Sequence, residues 1–224
     1  MDKTEDRTIC AKCGGYCCKK SGCDYFVSDF ESMKIDYLES ILDTGRVSII
    51  ASFIFDRLPN NKLISVPLLS LRARNINRGE IDLLSFKTTC ASLEENGCHF
   101  SLEERPSGGS TLVPSSDGLC HSNVDRLKEL EKWQPYQSVL RRIVKRRTGM
   151  TVDGKIREDV ENLFYNVLNK NFDGVAKAEL YDVLKNMIPM LMEVYPEEYK
   201  KARIRAHNNT PFVLKKTVFN NNNK

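Results

Sequence analysis

The spacing of the cysteines constrains this chain more than any other feature. Five of its eight cysteines lie within fourteen residues, and the other three follow after a gap of 66 residues. Two residues separate Cys10 from Cys13, and Gly14 and Gly15 after them let a tight turn aim both sulfurs at one centre. We therefore expect the two groups to meet at one metal site. The candidate ligands are Cys10, Cys13, Cys17, Cys18, Cys23, Cys90, Cys98 and Cys120.

Metal coordination is favoured over disulfides as the use of these cysteines. The first ten residues, MDKTEDRTIC, are charged and have no apolar stretch typical of a secretory signal, so we expect a cytoplasmic protein with reduced thiols. Adjacent cysteines such as Cys17 and Cys18 also fit poorly into disulfides with near neighbours. The Cys10–Cys13 spacing occurs in thiol–disulfide exchange enzymes too, but there it lies where a strand enters a helix of a βαβ unit, and no such unit is predicted.

The identity of the metal is left open by the spacing. One zinc ion takes four thiolates, so eight cysteines exceed a single site, and either some are spare or the centre is polynuclear. Iron–sulfur clusters also use four cysteines, although this spacing matches no standard ferredoxin pattern. Structural zinc contributes about 10–16 kcal/mol in small finger peptides, so we expect metal loss to unfold the N-terminal half.

Two histidines and three arginines near the cysteines have two interpretations each. His99 and His121 directly follow cysteines and could be ligands, but neighbours of ligands on a loop more often point away. Arg72, Arg74 and Arg105 could hold an anionic substrate. The favoured interpretation is that these arginines pair with carboxylates or balance the thiolates.

The first half of the chain is predicted to combine one helix with a small sheet. Ser28 and Glu31 have capping-box spacing, and the apolar periodicity after them predicts a helix from about Asp29 to Thr44. Three runs rich in β-branched and aromatic residues follow, RVSIIASFIFD, LISVPLLSLRARN and EIDLLSFKTT, and they predict a short antiparallel meander. Pro67 suits an edge position.

The second half is predicted to be mostly helical. Residues 123–148 show helical periodicity with a break at Pro135 and an end at Gly149. Further helices are predicted over 153–170, 174–194 and 196–207, the last with Pro196 in its first turn. The fold class is thus α+β, with a cysteine-cluster metal-binding region over 1–122, a helical region over 123–207 and a flexible tail over 208–224.

Several classes of protein are not expected. There is no uncharged apolar run of about 18 residues, so we expect no membrane span. The basic run Arg141–Arg147 lies at a predicted helix C-terminus, where cations are locally favourable, and it has no interleaved aromatic residues, so nucleic-acid binding is not favoured. Met187, Met190 and Met192 are typical of helical core, with a groove for a protein or peptide partner as the alternative.

The cysteine motifs resemble a known family. CAKCGGYCC and CASLEENGCHFSLEERP are similar to the signature of the YkgJ-type cysteine-cluster family, described as zinc- or iron-chelating. The resemblance covers Cys10 to Cys120, although the family has a cysteine soon after its Arg-Pro step, whereas here thirteen residues separate Pro106 from Cys120. The flagellin lysine N-methylase family is more distantly similar, which would imply an iron–sulfur centre and methyl transfer.

Three functions are therefore considered. The leading hypothesis is a cytoplasmic metal-binding protein whose two cysteine groups hold zinc or an iron–sulfur cluster. The first alternative is an iron–sulfur-dependent enzyme that modifies a protein or peptide held by the helical half. The second alternative is a thiol–disulfide redox protein, for which a solvent-accessible cysteine of low pKa is expected.

Overall fold

The computed structural model has the predicted α+β class, with a two-stranded antiparallel sheet and a helical C-terminal half. It describes Cys18 and residues 23–74, 77, 80–84, 89–95, 97–100, 104–114, 120–169 and 177–209. Within these ranges, no helix combines the length and the apolar character that a bilayer span requires. The predicted tail over 208–224 lies almost entirely outside the described residues.

A long hairpin forms the sheet. Strand β1, Val47–Arg57, pairs with β2, Leu63–Ala73, in a register that runs from Val47 opposite Ala73 to Arg57 opposite Leu63. The turn between them closes with Asn61 at a φ of 63°, a left-handed conformation that asparagine tolerates better than most residues. The sheet end nearest Val47 and Ala73 is buried, whereas the turn end is exposed.

Irregular segments complete both edges of this sheet. The amide of Ala51 in β1 donates to the carbonyl of Leu83 at 2.8 Å, so the third predicted run reaches the sheet through a single hydrogen bond among the described residues. On the other edge, Tyr25 donates to Leu71 at 2.9 Å. Among the described residues, the expected meander is thus a hairpin flanked by two irregular segments.

The side chain of Gln137 forms, on the outer edge of β2, the hydrogen bonds that a further strand would otherwise form. Its amide group accepts from the Leu69 amide at 2.9 Å and donates to the Leu69 carbonyl at 2.8 Å. Because ladder groups alternate along a strand, Pro67 would direct its absent N–H toward this same edge. The position therefore accommodates a residue without an N–H, as the sequence predicted.

The first helix is shorter than predicted. Residues Val27–Asp29 form a 3-10 turn, and helix α1 extends only over Ile35–Leu42. The capping carboxylate is that of Asp29, which accepts from the Phe26 amide at 2.8 Å. Phe30 is extended and packs edge-on against Trp133, so tertiary contacts override the local helical pattern between the two elements.

Short elements connect the sheet to the helical half. Strands β3 (Leu93–Glu94) and β4 (Gly97–Cys98) form a tight hairpin, and β5 (Leu112–Pro114) pairs with β6 (Cys120–Ser122). A single helical turn, α2 (Ser107–Ser110), precedes β5. These small units contain few backbone contacts of their own, which agrees with the loop-rich sequence.

The helical half follows the predicted boundaries closely. Its helices are α3 (Arg126–Glu131), α4 (Gln137–Thr148), α5 (Val152–Leu168), α6 (Lys177–Val194) and α7 (Pro196–Asn209), with a 3-10 turn over Gln134–Tyr136 at the predicted break. The Asp125 carboxylate caps α3, and Thr151 caps α5. Gly149, at a φ of 72°, ends α4 as predicted.

One continuous hydrophobic core joins the two halves. It includes Leu69 and Leu71 from β2, Leu140 and Ile143 from α4, and Phe164 from α5, all essentially buried. The basic run at the end of α4 lies at the margin of this core. There the Arg147 guanidinium forms an ion pair with the Asp43 carboxylate at 3.0 Å and donates to the Glu39 carbonyl at 3.0 Å. Part of the run therefore binds the C-terminal end of α1.

Asp159 is a buried carboxylate that ties α5 to the sheet edge. It accepts from the Leu83 amide at 3.0 Å and from the Lys155 ammonium at 2.7 Å. Burial raises the pKa of Asp159 to about 6, despite the opposing effect of Lys155. The folded protein therefore binds this proton more tightly than the unfolded chain does.

We expect this carboxyl to make the fold less stable as the pH rises. Its stabilising contribution is complete below the unfolded pKa near 4 and is lost as the pH passes through about 6, a difference of up to about 3 kcal/mol. Denaturant unfolding of the wild type and of Asp159→Asn should be compared between pH 4 and pH 7. The wild type should lose more free energy of unfolding over this range, and parallel profiles would contradict the assignment.

Candidate metal centre

Three of the predicted cysteines meet in one buried pocket. Cys18, Cys23 and Cys90 are 3–5% exposed and form a cluster with Ala73, bordered by Tyr25 and Leu93. The Cys90 side chain packs against both the Cys18 and the Cys23 side chains. The two cysteine groups, 66 residues apart in sequence, therefore converge.

Backbone hydrogen bonds at the end of β2 position the three cysteines. The Ala73 amide donates to the Cys23 carbonyl at 2.8 Å, which places Cys23 beside the last residue of the strand. The Cys90 amide donates to the Cys18 carbonyl at 2.9 Å and so joins the segment after the sheet to the first cysteine group. Main-chain pairing thus brings the sulfurs together without a disulfide, and all three are thiols.

Helix α2 covers the pocket on the Cys23 side. The Gly108 amide donates to the Asp24 carbonyl at 3.0 Å, and both the Ser107 amide and hydroxyl donate to the Asp29 carboxylate. Gly109 is buried, and a Cβ atom built on it would stand 2.7 Å from the Cys23 sulfur. Only a residue without a side chain permits this close approach.

A buried ionic network lies directly beside the thiols. The Arg72 guanidinium bonds Asp24 at 2.5 Å, and Arg126 at the start of α3 bonds the other oxygen of the same carboxylate at 3.1 Å. Arg74, two residues after Arg72, is 2% exposed. Buried guanidiniums require nearby negative charge, and thiolates of the pocket would supply part of it. The sequence interpretation of these arginines as pairing residues holds for Arg72.

The pKa shifts around the pocket are consistent with this charge pattern. Hydrogen bonds from Cys18 and then Cys23 hold the pKa of Cys90 well below its ordinary value. Burial raises the pKa of Tyr25 to about 12, and the charges of Cys90 and Cys23 add to the effect. Burial also lowers the pKa of Arg74 to about 10, with Arg72 acting in the same direction and Cys90 opposing it.

Cys98 lies next to this cluster but outside it. It pairs with Leu93 in the β3–β4 hairpin and is half-buried. Burial raises the pKa of the Cys98 thiol, and the positive charge of Arg105 opposes that rise. The adjacent His99 is 53% exposed and bonds Glu94 at 2.8 Å. These contacts give His99 a carboxylate partner on its own hairpin.

The other predicted ligands fall outside the described part of the structure. This applies to Cys10, Cys13 and Cys17, and to the side chains of Cys120 and His121. Sequence reasoning missed two residues at the pocket, Asp24 and Gly109. The SGGS stretch after Pro106 was a possible signal for Gly109, because paired glycines commonly mark a close backbone approach.

The three thiols fit a metal site in chemistry but do not form one by themselves. Thiolates are the ligands preferred by structural zinc and by iron–sulfur clusters. Within the described residues, no group of three or more His, Cys, Asp or Glu side chains has an arrangement that could hold a metal ion. Instead, the Cys18 and Cys23 side chains pack against that of Cys90. Four of the eight cysteine side chains lie outside those residues.

Replacement of Gly109 by alanine should disturb the pocket. The new methyl group would overlap the Cys23 sulfur, and overpacking of this kind costs about 1–3 kcal/mol. Thermal unfolding should therefore shift to lower temperature. Gly154→Ala is the matched control, because its Cβ would meet no atom closer than the Thr151 hydroxyl at 3.3 Å, in the first turn of α5. Equal behaviour of the two variants would contradict the packing assignment.

Comparison with known proteins identifies no similar protein. The chain matches no protein-family model, no curated protein and no solved structure.

Proposed function

We propose that this chain is a metal-binding cysteine-cluster protein that holds zinc or an iron–sulfur cluster at the Cys18–Cys23–Cys90 pocket. The observation that carries the proposal is the convergence of these three buried sulfurs from two distant parts of the chain. Cys10, Cys13, Cys17, Cys98 and Cys120 are the candidates for the remaining ligands. The resemblance to the YkgJ-type family belongs to the same proposal.

Burial of the pocket supports a structural role for the metal. A closed zinc site has all its positions filled by the protein and stabilises the fold around it. Here the thiols are nearly inaccessible to solvent and lie under α2, where Gly109 packs on Cys23. The bound metal would supply cross-links between β2, the segment after the sheet and the N-terminal cysteine group.

The buried arginines support an anionic centre. Four thiolates around one zinc ion leave a net charge of about −2, and iron–sulfur clusters with four thiolates are also anionic. Arg72 and Arg74 lie beside the pocket with little access to water. Their charges would offset that of the centre, because electrostatic interactions are strong where water is excluded.

Metal analysis with an absorption spectrum tests the proposal. The full-length protein should be purified without oxygen and without an added metal-binding tag. Zinc or iron at about one or more ions per chain is expected, and broad absorption near 400 nm would identify an iron–sulfur centre. A colourless protein with neither metal, in which Cys18, Cys23 and Cys90 are intact thiols, would contradict the proposal.

A further inference from the structure

We propose that the three-thiol pocket is also an oxidation-sensitive switch, in which Cys90 forms a disulfide with Cys18 or Cys23 once the metal has left. This inference rests on the proposed function, because it concerns the metal-free state of the same site.

The geometry makes Cys90 the shared partner. Cys90 packs against both Cys18 and Cys23 in the buried cluster, and its backbone amide donates to the Cys18 carbonyl at 2.9 Å. A disulfide requires Cα atoms about 4.4–6.8 Å apart, a range typical of residues whose main chains are hydrogen-bonded to each other. Little backbone movement would therefore be needed to join Cys90 to Cys18.

The surroundings limit the competing reactions. The three cysteines are 3–5% exposed, which disfavours bulky disulfide reagents relative to a small oxidant such as hydrogen peroxide. A sulfenic acid formed in the pocket has two thiols in contact with it. Condensation of the sulfenic acid with one of these thiols should therefore be faster than its further oxidation to the sulfinic acid.

The reaction balances with one peroxide. The Cys90 sulfur attacks a peroxide oxygen, the O–O bond breaks, and a sulfenic acid and one water are formed. The sulfur of Cys18 or Cys23 then attacks the sulfenic sulfur, the S–S bond forms, the S–O bond breaks, and a second water leaves. The two thiols lose two electrons in total, and the peroxide gains them.

The consequence is a block on metal binding. A disulfide sulfur carries no negative charge and is a far weaker ligand than a thiolate. Pairing Cys90 with either neighbour removes two of the three sulfurs that converge in the pocket. Reduction by a dithiol would restore both ligands, so the block is reversible.

Disulfide mapping of the full-length protein tests this inference. Metal is removed anaerobically with a chelator, one equivalent of hydrogen peroxide is added, remaining thiols are alkylated, and peptides are analysed by mass spectrometry. We expect a disulfide between Cys90 and Cys18 or Cys23. We also expect loss of zinc or iron uptake, with recovery after dithiothreitol treatment.

Two variants sharpen the outcome. Ser92→Ala should oxidise as the wild type does, because it alters the turn after Cys90 without removing a sulfur, whereas in Cys90→Ser neither Cys18 nor Cys23 should form a disulfide with Cys98 or Cys120. Disulfides that exclude Cys90, or a sulfinic acid at Cys90, would overturn the inference. The wild-type map is read independently of metal uptake, so a protein that binds no metal before oxidation contradicts the proposed function alone.

Discussion

Cys90→Ser is expected to abolish metal retention and to lower the stability of the N-terminal half sharply. Cys90 is the sulfur that contacts both other thiols of the pocket, and it is the only one of the three from the second cysteine group. Structural zinc in small domains contributes about 10–16 kcal/mol, so loss of a central ligand should remove much of the stability of that region. Metal content per chain and thermal unfolding followed by circular dichroism measure the two effects.

Ser92→Ala is the matched control for this variant. Ser92 is buried in the turn that follows Cys90, and its carbonyl accepts from the His99 amide at 2.7 Å, a bond that alanine retains. The control therefore alters the same turn without removing a sulfur. If Cys90→Ser keeps the metal content of the control, Cys90 is not a ligand and the account of the pocket is wrong.

Asp24→Ala is expected to have the next largest effect, about 3–5 kcal/mol on the free energy of unfolding. The Arg72 side chain is 10% exposed and the Asp24 side chain 26%. Removal of the Asp24 carboxylate therefore leaves the buried Arg72 guanidinium without this ion pair. It also releases Arg126, which links α3 to the cysteine region. Chemical denaturation at neutral pH measures the loss.

An exposed ion pair provides the comparison. Glu193 makes a two-oxygen contact with Arg57, but their side chains are 43% and 51% exposed. Such pairs contribute about 0–1 kcal/mol, so Glu193→Ala should change stability little. A similar loss in both variants would contradict the buried role assigned to Asp24.

The same carboxylate should make the protein acid-sensitive. Burial favours the protonated form of Asp24, but Arg72 and Arg126 outweigh it and lower its pKa below the ordinary value. Because the folded pKa is depressed, the stabilisation is present above the unfolded pKa and is lost as the pH falls through the folded one. This direction is opposite to that expected for Asp159.

The helical half was predictable from sequence because its determinants are local. Pro196 and Gly149 mark helix ends through their own backbone preferences, and both lie where expected. The first helix is shorter than its local sequence pattern predicts. Phe30 is held extended by packing on Trp133, a residue 103 positions away, and no local pattern encodes that contact.

The sheet edges and the pocket depend on contacts that a single sequence does not reveal. The pairing of Gln137 with Leu69 joins residues 68 positions apart through a side chain. The convergence of the cysteine groups was predicted from ligand chemistry, but the selection of Cys18, Cys23 and Cys90 as the buried cluster follows from main-chain pairing at the end of β2. Tertiary hydrogen bonds therefore decide which thiols meet.

The shared core bears on the expected consequence of metal loss. Leu69 and Leu71 of the hairpin pack in the same cluster as Leu140 and Phe164 of the helical half. Asp24 and Arg126 add an ionic link between the two regions. Loss of the metal should therefore lower the stability of the helices as well as that of the pocket, because β2 belongs to the core that both share.

Differential alkylation of the native protein tests the central claim most directly. Full-length protein purified anaerobically is treated with iodoacetamide before and after addition of a strong chelator, and the labelling of each cysteine is read by mass spectrometry. We predict that Cys18, Cys23 and Cys90 are protected together and become reactive together when the chelator removes the metal. Labelling of these three at different rates, unaffected by the chelator, would contradict a shared metal centre.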